Sequence, residues 1–108
     1  MATRSRIGIE NQDGTVSSIY CHFDGYESGV GAILKVHYTN REKVQSLIDL
    51  GDISSLNETI EETVAYHRDR GEKLYKARVD ASIDAFGKSD FEEYGRVFTL
   101  EGEWITFR

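Results

Sequence analysis

The sequence has one cysteine in 108 residues and no apolar run approaching the roughly 18 residues that a membrane-spanning helix needs. A lone cysteine, Cys21, excludes an internal disulfide and every zinc motif that requires cysteine pairs. The first ten residues, MATRSRIGIE, lack the apolar segment of a signal peptide. We therefore expect a protein of the cytoplasm that needs no disulfide, metal or cofactor.

Positive charge is also scarce. The chain has 13 Lys and Arg residues against 19 Asp and Glu residues, a formal net charge of −6. Phosphate backbones repel such a chain unless its basic residues gather on one face, so direct binding to nucleic acid is not expected. An acidic surface can instead compete with nucleic acid for a basic site on another protein. The length and the 39% content of hydrophobic residues predict one globular domain over residues 1–108.

Alternating apolar residues predict a β-hairpin at each end of the chain. The first covers residues 5–23 and turns at Asp13-Gly14, and the second covers residues 96–107. Residues 63–67 read as a further strand. Alternation also divides the second strand into two faces: Ser17, Ile19, Cys21 and Phe23 on the core side, and Val16, Ser18, Tyr20 and His22 on the more polar side.

Helical spacing of apolar residues begins at Val30 and continues to His37. A second helix is predicted from Thr39, with Thr39 and Glu42 as a capping box, to a glycine stop at Gly51. Residues 89–94 suit a short capped helix, and residues 73–88 fit either a helix or a strand. Together these elements predict an α+β fold, with an antiparallel sheet of about five strands, two to three helices on one face and the other face open.

Aromatic and basic side chains concentrate in two segments, which converge on the open face if their strands are neighbours. They are Tyr20, His22, Asp24 and Tyr26, and Tyr66, His67, Arg68 and Arg70. Aromatic rings stack on a base, guanidinium groups bind phosphate, and an imidazole or a phenol can read a polar edge. The pattern predicts a ligand site for a small anionic, nucleotide-like molecule. The alternative is an ordinary polar strand surface with a salt-bridged Arg68-Asp69-Arg70 cluster.

Catalysis and metal binding have less support in the sequence. The three histidines, His22, His37 and His67, lack the HxH or HxxxH spacing that places two ligands on one surface. Cys21 points away from its neighbour His22, so a thiol nucleophile has no base on its own side of the strand. A histidine oriented by Asp24 could still transfer protons. We assign no catalytic residue and no metal ligand.

Several motifs are distinctive in combination: SRIGIENQDGTVSSIYCHFDGY, LIDLGDISSL and TVAYHRDRGE. Over its first two thirds, through Glu72, the chain resembles a group of small proteins encoded in phage genomes and prophages whose function is unassigned. The resemblance implies a phage-borne accessory protein of the host cytoplasm, a setting in which counter-defence is a common role.

Three functions are compatible with that setting. The protein can bind and sequester a nucleotide signal of the host immune system through the eight residues above. It can instead be an acidic inhibitor of a host nucleic-acid-handling protein or CRISPR complex, through Glu58, Glu61, Glu62, Asp90, Glu92 and Glu93. A hydrolase acting on such a nucleotide through His22 or His67 is the third. Open sheet edges also allow a homo-oligomer with a site between subunits.

Overall fold

The computed structural model describes residues 2–108 and shows an α+β fold built on a mixed sheet. Within those residues the sheet has seven strands: β1 (Ser5–Glu10), β2 (Val16–Cys21), β3 (Ile53–Ser55), β4 (Val64–Ala65), β5 (Arg78–Asp80), β6 (Tyr94–Phe98) and β7 (Trp104–Phe107). Their order is β4-β3-β2-β1-β6-β7, and β5 pairs with the first half of β2. The α+β prediction and both predicted hairpins are confirmed.

The prediction of a purely antiparallel sheet of about five strands is wrong. β3 runs parallel to β2, and β6 runs parallel to β1. Both pairings follow from long connections, because a chain that leaves a strand through helices can return in the same direction. Alternation within a strand identifies the strand but carries no information about its neighbours.

Four α-helices occur in the described part of the chain: α1 (Ala32–His37), α2 (Arg41–Asp49), α3 (Tyr66–Arg70) and α4 (Ile83–Lys88). A π-helical turn, Glu27–Gly31, precedes α1. The predicted capping residue of α2 was wrong by one position, because Asn40 Oδ1 accepts the hydrogen bond from Lys43 N at 2.8 Å. Gly51 ends that helical region as predicted, with φ at +77°. No helix of residues 2–108 combines the length and the apolar character needed to cross a membrane.

The main core lies between α1, α2 and one face of the sheet. Its sheet residues include Ile7, Ile9, Ile19 and Cys21, all fully buried. Burial raises the pKa of the Cys21 thiol to about 12, so it is an unreactive core side chain. Phe23 was expected in this core and is 43% exposed instead, because β2 ends at Cys21 and the alternation ends with it.

A second core covers part of the face that was expected to be open. Val16, Phe86 and Val97 are buried there, with Ile83, Phe91, Ile105 and Phe107 packed against them. Phe86 comes from α4, so the helices lie on both faces of the sheet rather than on one. The part of this face near the end of β2 is not covered by the second core, and Tyr20 lies there.

Two further segments differ from their predictions, and a third contains both of the structures that its sequence allowed. Residues 63–67 form only the two-residue strand β4, because the Asp69 carboxylate accepts the Ala65 N–H at 2.7 Å and closes the helical turn α3. The segment over residues 89–94 is not a helix, and β6 begins at Tyr94. Residues 73–88, which fit either a helix or a strand, contain one of each: strand β5 and then helix α4. The capping residue of α4, Ser82, accepts the Ala85 N–H at 3.0 Å.

Candidate ligand-binding cleft

The backbone register brings two of the predicted segments to the same place. The three residues Cys21, Ile53 and Ala65 pair side by side across β2, β3 and β4, and all are buried in the main core. Since side chains alternate along extended backbone, the neighbours of these residues lie on the opposite face. Those neighbours are Tyr20, Asp52 and Tyr66.

These neighbours open onto a cleft of about 240 Å³, here called the tyrosine cleft. Its lining consists of Tyr20, Asp52, Tyr66, His67, Glu72, Lys73, Leu74 and Tyr75. The last four residues belong to residues 71–77, the strap, which connects α3 to β5 without regular secondary structure. One wall of the cleft therefore belongs to the sheet and α3, and the other belongs to the strap.

Hydrogen bonds hold the sheet side of the cleft in place. The backbone N–H of Tyr20 donates to Asp52 Oδ1 at 2.9 Å, and the N–H of Tyr66 donates to the Asp52 carbonyl at 3.3 Å. His67 Nδ1 lies 2.8 Å from the carbonyl oxygen of Glu72. Because a carbonyl only accepts, Nδ1 carries the proton, and Nε2 of the neutral ring is left as an acceptor.

His22 supports the cleft without lining it. The Tyr20 hydroxyl lies 2.7 Å from His22 Nδ1, and the imidazole packs edge-on against Phe23 with ring centroids 4.6 Å apart. Burial raises the pKa of Tyr20, which keeps its hydroxyl protonated at neutral pH. The histidine thus restricts the orientation of the Tyr20 ring.

Asp24 and Tyr26 were expected at the same site and form a separate pair. The Tyr26 hydroxyl donates to Asp24 Oδ1 at 3.0 Å, and neither residue belongs to the lining of the cleft. Asp24 adopts a left-handed backbone conformation with φ at +60°, which turns the chain away from the end of β2. Tyr26 is 41% exposed on this turn.

The two arginines have different roles. Arg68 makes two hydrogen bonds of 2.9 Å to the Asp69 carboxylate, and these raise the pKa of its guanidinium group. It also donates to the carbonyls of Ile60 at 3.0 Å and Thr63 at 2.5 Å, so it fastens the preceding loop to α3. Arg70 is placed over the ring of Tyr66, 5.3 Å from its centroid. Of the two, Arg70 is the one next to the cleft.

Replacing Arg68 with alanine is expected to lower the melting temperature, because three loop carbonyls, those of Ile60, Glu61 and Thr63, lose their donor. The Asp69 carboxylate loses its guanidinium partner as well. The matched change Arg70→Ala removes a guanidinium group that stacks on one ring and is expected to leave the melting temperature nearly unchanged. Thermal unfolding followed by circular dichroism compares the two variants. Equal melting temperatures for both would contradict the fastening role of Arg68.

Sequence reasoning found Tyr20, Tyr66 and His67 and missed the rest of the lining. Asp52 stands in a polar segment whose short strand, β3, was not recognised. Leu74 and Tyr75 are large hydrophobic residues exposed on the strap, at 44% and 59%. Their position in a segment with no clear periodicity is the one signal in the sequence that could have drawn attention to them.

Comparison of the chain with protein-family models, curated proteins and solved structures found no match.

Within residues 2–108, no three His, Cys, Asp or Glu side chains are grouped as metal ligands would be. The functional groups that line the cleft are three phenol rings, one imidazole, two carboxylates and one ammonium group. Such a surface can stack a planar ring and accept hydrogen bonds from it.

Proposed function

We propose that the protein binds and sequesters a nucleotide-like small molecule, with its base in the tyrosine cleft. The observation that carries this proposal is the convergence of Tyr20, Tyr66 and Tyr75 on one cleft of about 240 Å³. Stacking on an aromatic side chain contributes about 1–3 kcal/mol per base in proteins that bind single-stranded nucleic acids. Several rings around one cleft give a base more than one stacking surface.

Charge determines how such a ligand lies. The lining of the cleft has two negative charges, from Asp52 and Glu72, and one positive charge, from Lys73. Its interior therefore repels phosphate. Arg70, over the Tyr66 ring, and Lys73, with its Nζ 5.6 Å from the Tyr75 ring centroid, are the cations near the rings. In the proposal the base enters the cleft, and the phosphates stay outside near Arg70 and Lys73.

The resemblance to phage-encoded proteins supports a biological role for this binding. A small protein of the host cytoplasm that binds a nucleotide signal lowers the free concentration of that signal without catalysing a reaction of it. We propose this role, counter-defence by sequestration, rather than hydrolysis. His67 offers Nε2 as a base, but the carboxylates of Asp52 and Glu72 line the same cleft and would repel a phosphoryl group placed beside that nitrogen.

The acidic-inhibitor alternative has weaker support from the geometry. Glu92 forms an ion pair with Arg4 at 3.4 Å, and Glu93 accepts the Arg4 backbone N–H at 2.7 Å. Glu62 accepts the Thr59 hydroxyl at 3.0 Å, and Glu58 lies 3.5 Å from His37 Nε2. Asp90 accepts the Glu92 backbone N–H at 3.0 Å. Five of the six acids that this alternative requires thus have polar partners within the chain, which makes them less available to a basic groove.

A panel of nucleotides and nucleosides, tested by calorimetry and by thermal unfolding, examines the proposal. A ligand present at 100 times its dissociation constant is expected to stabilise the protein by about 2.7 kcal/mol. A panel that leaves the melting temperature unchanged and gives no heat of binding would contradict it. Mass spectrometry of the ligand released on denaturation then separates sequestration, which returns it intact, from hydrolysis, which returns products.

A further inference from the structure

We infer that the cleft selects a base with adjacent hydrogen-bond donors on one edge, as guanine has, and that Asp52 is the selecting residue. The inference rests on the proposed function and adds the class of base. The inference depends on the hydrogen bonds that fix the position of the Asp52 carboxylate. The other polar side chains of the cleft are either less firmly fixed or present an aromatic ring to it.

Asp52 is a half-buried carboxylate held at a defined position in the wall of the cleft. Its backbone carbonyl accepts the Tyr66 N–H, and its Oδ1 accepts the Tyr20 N–H at 2.9 Å. These two bonds tie the residue to both tyrosine-bearing segments. A carboxylate oxygen has two lone pairs, so Oδ1 retains one, and Oδ2 accepts no hydrogen bond from another group within residues 2–108.

Glu72, the other carboxylate of the lining, is a poorer selector. Its backbone is fixed, because its N–H donates to the Tyr66 carbonyl and its carbonyl accepts from His67 Nδ1. Its side chain, however, is exposed on the strap and makes no hydrogen bond among the described residues. A flexible exposed carboxylate loses rotational freedom on binding, which offsets part of any hydrogen bond that it forms.

The acceptor pair of Asp52 matches one kind of base edge. Guanine presents its N1–H and 2-amino donors side by side, and a carboxylate accepts both. Adenine presents the unprotonated N1 beside its amino group, so its ring nitrogen would face a carboxylate oxygen with no proton between them. A bidentate contact of this kind discriminates between bases by about 1–3 kcal/mol, which corresponds to about fivefold to 150-fold in affinity.

The test compares nucleosides, so that phosphate contacts do not contribute. Calorimetry is expected to give affinities in the order guanosine, inosine, adenosine, because inosine keeps the N1–H and lacks the 2-amino group. Asp52→Asn replaces Oδ2 with an N–H donor and keeps the acceptor for Tyr20 N–H. This variant is expected to lose the guanosine preference and to favour xanthosine, whose 2-oxo group accepts that donor.

Glu72→Gln is the matched control and is expected to keep the guanosine preference. The melting temperature of each variant shows whether the fold is retained. Equal affinity for guanosine and adenosine in the unaltered protein would overturn the role of Asp52 and leave the proposed function standing. Loss of the preference in Glu72→Gln, with Asp52→Asn unaffected, would also overturn it. A protein that binds no nucleoside or nucleotide would overturn both.

Discussion

Replacing Phe86 with alanine is expected to lower the free energy of unfolding by about 3–5 kcal/mol. The Phe86 ring is fully buried in the second core, with ring centroids 5.7 Å from Phe107 and 6.1 Å from Phe91. Gly95 packs against it so closely that a Cβ there would lie 2.8 Å from the Phe86 ring. Removing the ring leaves a cavity that such tightly packed neighbours cannot fill by small movements.

Phe23→Ala is the matched control for this change. It removes the same side chain at a position that is 43% exposed, so a much smaller loss is expected. Urea denaturation followed by fluorescence of the single tryptophan, Trp104, measures both variants. Similar losses for the two would mean that the second face of the sheet is not closed by α4, and the whole face would again be open to ligands.

Replacing Tyr66 with alanine is expected to weaken nucleotide binding by about tenfold to a hundredfold, the loss that removing one stacked ring produces. The backbone bond from Tyr66 N–H to the Asp52 carbonyl does not involve the side chain and should persist. Isothermal titration with the best ligand of the nucleotide panel measures the effect. Tyr66→Phe keeps the ring and is expected to bind nearly as well as the unaltered protein.

Tyr26→Ala serves as the matched control for the cleft. Tyr26 is an exposed tyrosine from the same predicted set, but its hydroxyl pairs with Asp24 away from the cleft. Its loss should leave the affinity unchanged. If Tyr26→Ala weakens binding as much as Tyr66→Ala, the ligand does not use the tyrosine cleft.

The sequence was most informative where one strand determines its own geometry. Alternation along β2 placed Ile19 and Cys21 in the core and Tyr20 on the other face, and the structure confirms all three. Although β2 and β4 are not the neighbouring strands that the sequence interpretation required, Tyr20 and Tyr66 line one cleft. They do so through β3, a three-residue strand between them that was not recognised, because a strand this short shows too little alternation.

The sequence was least informative where a side chain has a choice of partners. Arg68 was expected to face a ligand, yet the loop carbonyls of Ile60 and Thr63 lie within its reach and bind it. Residue type shows that a guanidinium group needs acceptors and does not show which acceptors the fold supplies. The same limit applies to Asp52, whose importance depends on the register that places it beside Tyr20.

The central claim is that a base lies against Tyr20, Tyr66 and Tyr75, and the six tyrosines of the chain provide an internal test. Nuclear Overhauser effects between ligand base protons and isotopically labelled tyrosine rings measure that contact directly. We predict effects at those three rings and none at the other three: Tyr26, Tyr38 and Tyr94. Contacts to Tyr26 or Tyr94 without contacts to the cleft, in the presence of bound nucleotide, would contradict the account.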